Sequence, residues 1–358
     1  SSSIKNREKS IIKDERKHKG EILKNLIDKI QKHYSIFFFI ITIIAFLIIP
    51  IVFTQKYILE EVPAKIEIKT EEIDYGVKYK TINLLHKSDN TVENIELEEY
   101  LVNVVAAEMP VDYELEALKA QATVARTYTL YQISNGPKHE NADICDSSDC
   151  CQAWISKEKR FENWDGNQEE KWNKLREAVY STAGDIITYE GKPIDAFFHS
   201  NSGGRTEIPA NVWGGTNFPY LQVVETSGED TYSQFYSSNE YTKKELEDKM
   251  KEKYSDFQIN WDAEDAIAIL EYNESSRIKT IKIGNKNISG VEARSIFELR
   301  SSNFTVEITD DKIKFNVVGY GHGVGMSQTG SNTLAKEGKG YKEIINHYYK
   351  NVEIENIK

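Results

Sequence analysis

The chain has 358 residues, 39% of them hydrophobic, and its 57 Asp and Glu outnumber its 45 Lys and Arg, giving a formal charge of −12. This length and apolar content can bury a sizeable core, which excludes a chain that is disordered throughout. The acidic surplus disfavours nucleic acid and other polyanionic partners, because phosphate binding needs clustered Lys and Arg.

The first predicted element is a transmembrane helix over 35–54. Residues 36–53, "IFFFIITIIAFLIIPIVF", are eighteen residues without a charge, about the length that crosses a hydrocarbon core. Residues 1–34 hold ten Lys or Arg against five acids, so the positive charge predicts a cytoplasmic basic tail and an extracytoplasmic remainder. We therefore expect a single-pass protein of the cell membrane. A cleaved signal peptide and a buried soluble helix are the alternatives.

The rest of the chain predicts an α+β fold: a linker with edge strands at 55–89, then one mixed extracytoplasmic catalytic domain at 90–358. Apolar periodicity and turn residues locate its elements. In chain order they are helices at 97–108, 114–132 and 168–183, a hairpin turning at Glu190 and Gly191, a β-rich elaboration over about 225–315 that includes an acidic helix, and a closing helix at 341–350.

The first of these helices ends in a carboxylate that continues its apolar face. One face carries positions i, i+3, i+4, i+7, i+8 and i+11, namely Leu97, Tyr100, Leu101, Val104, Val105 and Glu108. Pro110 ends the helix just past Glu108. Burial and the negative end of the helix dipole both favour the protonated carboxyl, which is then able to act as a general acid. The alternative is that the helix frays after Ala107 and Glu108 is solvated.

The second helix carries a polar strip. Lys119 and Arg126 share a face with Thr123, and Gln121 lies between that face and the apolar one. Such a strip is either a solvated surface or a wall of donors for the oxygens of a polar substrate, with Arg126 offering a planar fork.

Three cysteines, Cys145, Cys150 and Cys151, lie within seven residues, and His139 precedes them. An odd, clustered set is a poor disulfide framework, whereas thiolates with an imidazole suit tetrahedral zinc. Because adjacent side chains point differently, we expect only one of Cys150 and Cys151 to bind the metal. A disulfide and free thiols remain the alternatives.

Two glycine-rich bends carry further polar residues. "FFHSNSGGRTE" offers His199, Ser200 and Ser202, and "GYGHGVGMSQTG" offers His322, Ser327 and Gln328. A serine hydrolase is disfavoured because no GxSxG elbow is present, and a phosphate loop because no GxxxxGK[ST] occurs. The alternatives are tight turns that only pack and backbone that approaches a ligand closely.

Taken in order, "LEEYLVNVVAAEMP", "EALKAQATVARTYTL", "DICDSSDCCQAW", "FFHSNSGGRTE" and "GYGHGVGMSQTG" resemble the SpoIID family of endospore-forming bacteria. The resemblance implies a lytic transglycosylase that cuts the bond between N-acetylmuramic acid (MurNAc) and N-acetylglucosamine (GlcNAc) in glycan strands stripped of stem peptides, forming 1,6-anhydro-MurNAc. It implies Glu108 as the catalytic residue and His139, Cys145 and Cys151 as ligands of a structural zinc, with Cys150 as an alternative ligand. The substrate cleft is expected to include Lys119, Gln121, Arg126, His199, Ser200, Ser202, His322 and Gln328.

The resemblance also implies partners and a place of action. The expected partners are peptidoglycan, the amidase SpoIIP and the membrane protein SpoIIM, at the sporulation septum and engulfing membrane. Two other classes stay open: an amidase enhancer that binds glycan without cutting it, and a zinc hydrolase.

Overall fold

The computed structural model describes residues 80–357, together with residues 20, 23, 24, 27–32 and 34, which are helical. The chain divides into two compact units, Ser1–Glu72 and Ile73–Lys358. The predicted transmembrane helix at 35–54 lies outside the described residues. Within the described residues, no helix combines the length and the apolar character needed to cross a membrane.

The described part of the second unit mixes helices with short strands. Its α-helices are α1 (Leu97–Glu108), α2 (Leu115–Ser134), α3 (Lys157–Glu162), α4 (Gln168–Tyr180), α5 (Pro209–Trp213), α6 (Lys243–Lys253), α7 (Gly290–Ile296), α8 (Gln328–Lys336) and α9 (Tyr341–Tyr348), and a 3₁₀ helix spans Glu229–Thr231.

The strands form five small sheets. They are β1 (Thr81–His86), β2 (Thr91–Glu96), β3 (Ile144–Cys145), β4 (Asp185–Tyr189), β5 (Lys192–Pro193), β6 (Phe198–His199), β7 (Tyr236–Thr242), β8 (Ile267–Tyr272), β9 (Ile278–Ile283), β10 (Lys286–Ser289), β11 (Phe304–Ile308), β12 (Lys312–Val318), β13 (Met326–Ser327) and β14 (Glu353–Asn356). Their orders are β2-β1-β3, β10-β9-β8, β11-β12-β7, β13-β6 and β14-β4-β5. The mixed α+β class is confirmed.

Helices α1 and α2 form the centre of the main core. All five apolar residues of the α1 stripe are buried, and α2 is buried continuously from Leu118 to Leu130 apart from Lys119. Helix α1 ends where the sequence predicts, because Met109, the residue before Pro110, is extended at φ −124° and ψ 143°. The end of α1 therefore fixes where the Glu108 side chain leaves the core.

The elaboration has a hydrophobic core of its own, built from residues of α6, α7, β9, β11 and β12. Its predicted acidic helix is α6, whose first turn is closed by a capping box between Thr242 and Glu245. Arg277, fully buried and directly before β9, donates hydrogen bonds to the carbonyls of Arg205 and Ser202, both at 2.8 Å. The elaboration thereby supports the first glycine-rich bend from behind.

Candidate active site

Glu108 lies at the end of α1, half-buried, with both carboxyl oxygens held. Oε1 accepts a hydrogen bond from the backbone N–H of Ala153 at 2.8 Å, and Oε2 accepts one from Nε2 of Gln328 at 3.3 Å. Burial raises the pKa of Glu108 above its ordinary value, and the two hydrogen bonds oppose that rise without cancelling it. The carboxyl is thus held in position and biased toward its protonated form.

One further residue predicted for the site, Gln328, contacts Glu108 from another element, and it lies beside a second, Gln121. Gln328, the first residue of α8, also lies with its Nε2 at 3.5 Å from Oε1 of Gln121 on α2. Gln121 is fully buried, and its Nε2 has no hydrogen-bond partner among the described residues. An unpaired buried N–H is costly, and Gln121 lines neither of the two cavities described next, so within this part of the chain it is linked to Glu108 only through Gln328.

Glu108 lines two cavities, and we refer to these two cavities together as the groove. The larger, of about 620 Å³, is lined by Glu108, Tyr128, Lys138, Ser148, Asp149, Cys150, Cys151, Gln152, Phe197, Phe198, His199, Ser200, Trp213, Tyr320, Gly321 and His322. The smaller, of about 440 Å³, is lined by Ala107, Glu108, Met109, Pro110, Val111, Asp112, Arg160, Trp164, Lys171 and Gln234. Because there is space on both sides of this carboxyl, a polymer chain can extend past it in both directions.

The two histidines of the glycine-rich bends face each other in the larger cavity, with ring centroids 5.7 Å apart. His199 lies 3.1 Å from the carbonyl of Val324 through Nδ1, and His322 Nδ1 lies 3.0 Å from the N–H of the same residue. Burial lowers the pKa of His199 to about 3 and that of His322 well below its ordinary range, and the nearby Arg277 adds to both effects. Both rings are therefore neutral, and the buried Nε2 of His199, which lacks a described partner, is an acceptor.

The two serines of the first bend differ in their surroundings. Ser200 lines the larger cavity, whereas Ser202 is buried with its hydroxyl against Glu229 and Thr226. Glu229 also accepts hydrogen bonds from the hydroxyls of Ser327 and Thr329, the latter at 2.9 Å. This buried carboxylate fastens one bend to the other, and no periodicity or motif in the sequence points to it.

Lys119 and Arg126, predicted to face the substrate, line neither cavity in the part of the chain that the structure describes. Arg126 is fully buried and donates hydrogen bonds to the Glu98 carboxylate from Nε at 3.1 Å and from Nη2 at 2.5 Å. It donates further hydrogen bonds to two backbone carbonyls. Lys119 pairs with Glu116 at 2.7 Å. The polar strip of α2 is therefore covered by neighbouring elements, and Arg126 holds helices together.

The predicted metal ligands form a compact cluster with one more member than expected. His139 Nε2 and the Sγ atoms of Cys145, Cys150 and Cys151 all lie within 4.8 Å of one another. The backbone N–H groups of both Cys150 and Cys151 bond to the carbonyl of Ser147, at 3.2 and 2.8 Å, and this tight turn brings both thiols to one side. Both adjacent cysteines therefore reach the cluster, whereas the sequence predicts that only one of them binds a metal, and all three cysteines are free thiols rather than a disulfide.

The donor set fits a tetrahedral metal. Bonds of about 2.3 Å to sulfur and 2.0 Å to nitrogen give tetrahedral edges of about 3.5 to 3.8 Å. Each of the two sulfurs of Cys150 and Cys151 lies 3.6 Å from His139 Nε2, and they lie 3.8 Å from each other. The N–H of Cys145 also points at Cys151 Sγ, at 3.4 Å, as a partner that would stabilise a thiolate.

The loop that carries the His/Cys cluster leads directly to Glu108. After Cys151, the side chain of Gln152 is buried and donates hydrogen bonds to the hydroxyls of Tyr100 and Thr129, both at 2.9 Å. The next residue, Ala153, supplies the N–H that holds Glu108 Oε1. Ala153 could not be predicted from the sequence, because a backbone donor carries no side-chain signal.

Replacing Gln328 by Leu is expected to move the alkaline limb of the activity profile toward higher pH. The Gln328 amide stabilises the ionised form of Glu108, so its removal raises the pKa of Glu108 further. A general acid loses activity as pH rises through its pKa, so a higher pKa retains activity to higher pH. The pH profile of kcat/KM measures this, with Gln222→Leu, at an exposed glutamine, as the matched control. An unchanged limb contradicts the assigned contact.

Together, the fold and the site define a mixed α+β protein with a groove-lining carboxyl beside a His/Cys cluster that is able to hold a metal ion. Residues 86–189 match the SpoIID family model, described as stage II sporulation protein. Residues 220–325 match a domain described as being of unknown function, DUF8618, and this range covers the whole of the elaboration.

Individual relatives agree with the family match. The chain is similar to stage II sporulation protein D of Bacillus subtilis, with 34% identity over 76% of this chain and 78% of the relative, and to its Bacillus amyloliquefaciens counterpart, with 32% identity over the same shares. It is more distantly similar to the amidase enhancer of Bacillus subtilis, with 28% identity over 70% of this chain and 39% of that protein. The chain belongs to the SpoIID family of sporulation proteins.

Proposed function

We propose that this protein is a peptidoglycan lytic transglycosylase that cleaves the MurNAc–GlcNAc bond of peptide-free glycan strands, with Glu108 as its acid and base. The observation that carries the proposal is the setting of Glu108: a half-buried carboxyl with a raised pKa, held on two sides, between two cavities of one groove. Membership of a family of sporulation proteins supports the cell-wall context.

In this mechanism one carboxyl acts twice. Because Oε1 accepts the Ala153 N–H, the proton of the neutral acid resides on Oε2. Oε2 donates it to the glycosidic oxygen, and the bond from that oxygen to C1 of MurNAc breaks through an oxocarbenium-like state. The carboxylate then removes the proton of the MurNAc C6 hydroxyl as its oxygen bonds to C1, which closes the 1,6-anhydro ring and restores the acid.

The neutral groups around Glu108 suit the polar atoms of a sugar. Nε2 of His199, which lines the larger cavity, is an acceptor for a hydroxyl or N-acetyl N–H. The exposed indole of Trp213, 5.0 Å from the His322 ring, offers a flat apolar face to a pyranose ring. Together they would orient the strand without net charge.

His139, Cys145, Cys150 and Cys151 would hold zinc as a structural metal. When bound, the ion cross-links the loop by four bonds, and a closed set of four protein ligands is typical of structural sites. The loop in turn positions Ala153, so its contribution to activity is the orientation of Glu108.

The carboxylates elsewhere on the groove walls are expected to matter little. Asp112 and Asp149 line the two cavities and are both exposed. A hydrolase with paired acids needs a second carboxyl, whereas anhydro ring closure does not. Asp112→Asn and Asp149→Asn are each expected to keep the rate of anhydro product formation within about twofold, since solvated surface charges contribute little. A loss as large as that of Glu108→Gln in either variant would favour a two-carboxyl mechanism.

The competing function is that of an amidase enhancer, favoured by the similarity to a protein of that name. An enhancer would bind glycan and stimulate an amidase without cutting the strand. Mass spectrometry of soluble products from peptide-free strands separates the two functions, because only the transglycosylase releases 1,6-anhydro ends. The absence of such ends at any protein concentration would favour the enhancer.

We also propose a membrane anchor formed by residues 35–54, with the groove on the wall side and with SpoIIP and SpoIIM as partners. This segment lies outside the described residues, and the proposal rests on its apolar run and on the basic residues before it. Protease accessibility in intact protoplasts tests the orientation, and co-purification from sporulating cells tests the two partners.

A further inference from the structure

The smaller cavity beside Glu108 has a cationic wall in a chain of net charge −12. Arg160 and Lys171 both line it, and both lie over the ring of Trp164, with the Arg160 Cζ at 5.6 Å and the Lys171 Nζ at 5.8 Å from its centroid. Two cations from different helices, α3 and α4, are thus gathered around one indole at the groove wall.

These two cations lack acidic partners within the described residues. The hydrogen bonds from their charged groups go to backbone carbonyls: Arg160 Nη2 to Ala106, and Lys171 Nζ to Asp165 at 3.2 Å. Arg160 Nε is buried without a partner, and burial lowers the pKa of this guanidinium. Asp112 on the same cavity is exposed and forms no ion pair with either cation in this part of the chain. A half-buried unpaired guanidinium is costly, so the cavity is suited to an anionic ligand.

We propose that Arg160 and Lys171 bind the lactyl carboxylate of a MurNAc residue next to Glu108, while Trp164 packs against its sugar ring. The proposal rests on the transglycosylase function and identifies residues that select the substrate. A muramic residue bears a free carboxylate only where no stem peptide is attached; with a peptide, that carboxyl is a neutral amide. An Arg and Lys pair favours the charged group over the amide, because hydrogen bonds to charged partners are the stronger ones. The smaller cavity therefore distinguishes bare from peptide-bearing strands.

The test crosses protein variants with a change in the ligand. Two muramyl tetrasaccharides are prepared, one with free lactyl carboxylates and one with those carboxylates converted to methylamides. Their binding to full-length Glu108→Gln protein is measured by calorimetry, which needs no turnover. The expected result is about tenfold tighter binding of the free acid, the size of a charge-assisted hydrogen bond.

Arg160→Gln and Lys171→Gln, each in the Glu108→Gln background, are expected to remove most of this preference by weakening binding of the acid and not of the amide. Lys159→Gln is the matched control, because Lys159 precedes Arg160 on α3 but is exposed and paired with Glu162. Its preference is expected to stay at the Glu108→Gln level. If Arg160→Gln merely disturbs α1 through Ala106, both ligands weaken equally, and Lys171→Gln then decides.

Equal binding of acid and amide to the Glu108→Gln protein, or an unchanged preference in both variants, overturns the proposal. Failure of the proposed function looks different: wild-type protein then releases no 1,6-anhydro product from bare strands, whatever the binding preference.

Discussion

Replacing Glu108 by Gln is expected to lower the release of 1,6-anhydro products from peptide-free glycan strands by about 10²- to 10⁴-fold, the usual contribution of a general acid and base. Gln keeps the shape of Glu and can still accept the Ala153 N–H, but it has no proton to give to the glycosidic oxygen. Binding of the strand should stay near the wild-type level, so the loss falls on kcat rather than KM. Mass spectrometry and reducing-end assays on purified strands measure both parameters.

The same variant is expected to be more stable than wild type near neutral pH. Burial raises the folded-state pKa of Glu108 above its unfolded value, so the stability that the protonated carboxyl contributes is fully present in acid and is lost as pH rises through the folded pKa. The Gln side chain does not titrate, so the variant loses no stability at this position as pH rises. The melting temperature of Glu108→Gln minus that of wild type should therefore grow from about pH 4 toward neutral pH.

The control for this prediction is Glu245→Gln on α6. The Glu245 carboxylate accepts the backbone N–H and the hydroxyl of Thr242, at 2.7 and 2.9 Å, and these hydrogen bonds lower its pKa. Its linkage therefore has the opposite sign, and this substitution should not stabilise the protein as pH rises. Glu245→Gln should also keep full activity. Normal turnover in the Glu108→Gln protein would show that Glu108 is not the acid. The absence of a stability gain at neutral pH would show that burial does not raise the pKa of Glu108.

Local signals in the sequence predicted the elements that carry Glu108. The apolar period of α1, the stop at Pro110 and the turn at Glu190 and Gly191, which adopt φ of 51° and 71°, all act within a few residues. The pairing of β13 with β6 joins Met326 to Phe198, and that of β1 with β3 joins Leu84 to Ile144. Each of these pairs includes at least one two-residue strand, β3, β6 or β13, which is too short to carry a periodicity from which to infer its partner.

Sequence patterns indicate individual candidate residues of the site, but they do not show which neighbours contact those residues. The sequence predicts Glu108 and Gln328 separately as site residues, but their contact spans 220 positions and depends on the packing of α8 against α2. Arg126 was placed on a groove wall because helical periodicity gives a face without saying what covers it, and Glu98 covers it. The sequence does not distinguish Arg160 from the other charged residues of its helix, because its lack of an acidic partner is visible only in three dimensions.

Replacing Cys151 by Ser is expected to lower zinc affinity by about 100-fold or more and to reduce the melting temperature, because loss of a thiolate ligand weakens a metal whose binding is coupled to folding. Cys150→Ser should have an effect of similar size, since both sulfurs lie 3.6 Å from His139 Nε2. Metal content by mass spectrometry and thermal unfolding with and without chelator measure these changes. Ser148→Ala, an exposed position in the same loop, is the control and should bind zinc normally.

The role of the proposed zinc is tested by measuring activity at a temperature where the wild-type and variant proteins are both folded. If zinc only fixes the loop, kcat of Cys151→Ser measured well below its melting temperature should fall because Ala153 no longer holds Glu108 Oε1 in place. Wild-type protein that has been stripped of metal and then loaded with Co²⁺ should regain both its melting temperature and its activity. It should also show the visible absorption of a tetrahedral cobalt–thiolate centre. A zinc hydrolase behaves otherwise: chelation abolishes activity while the melting curve stays unchanged, and that outcome would reassign the chemistry from Glu108 to the metal.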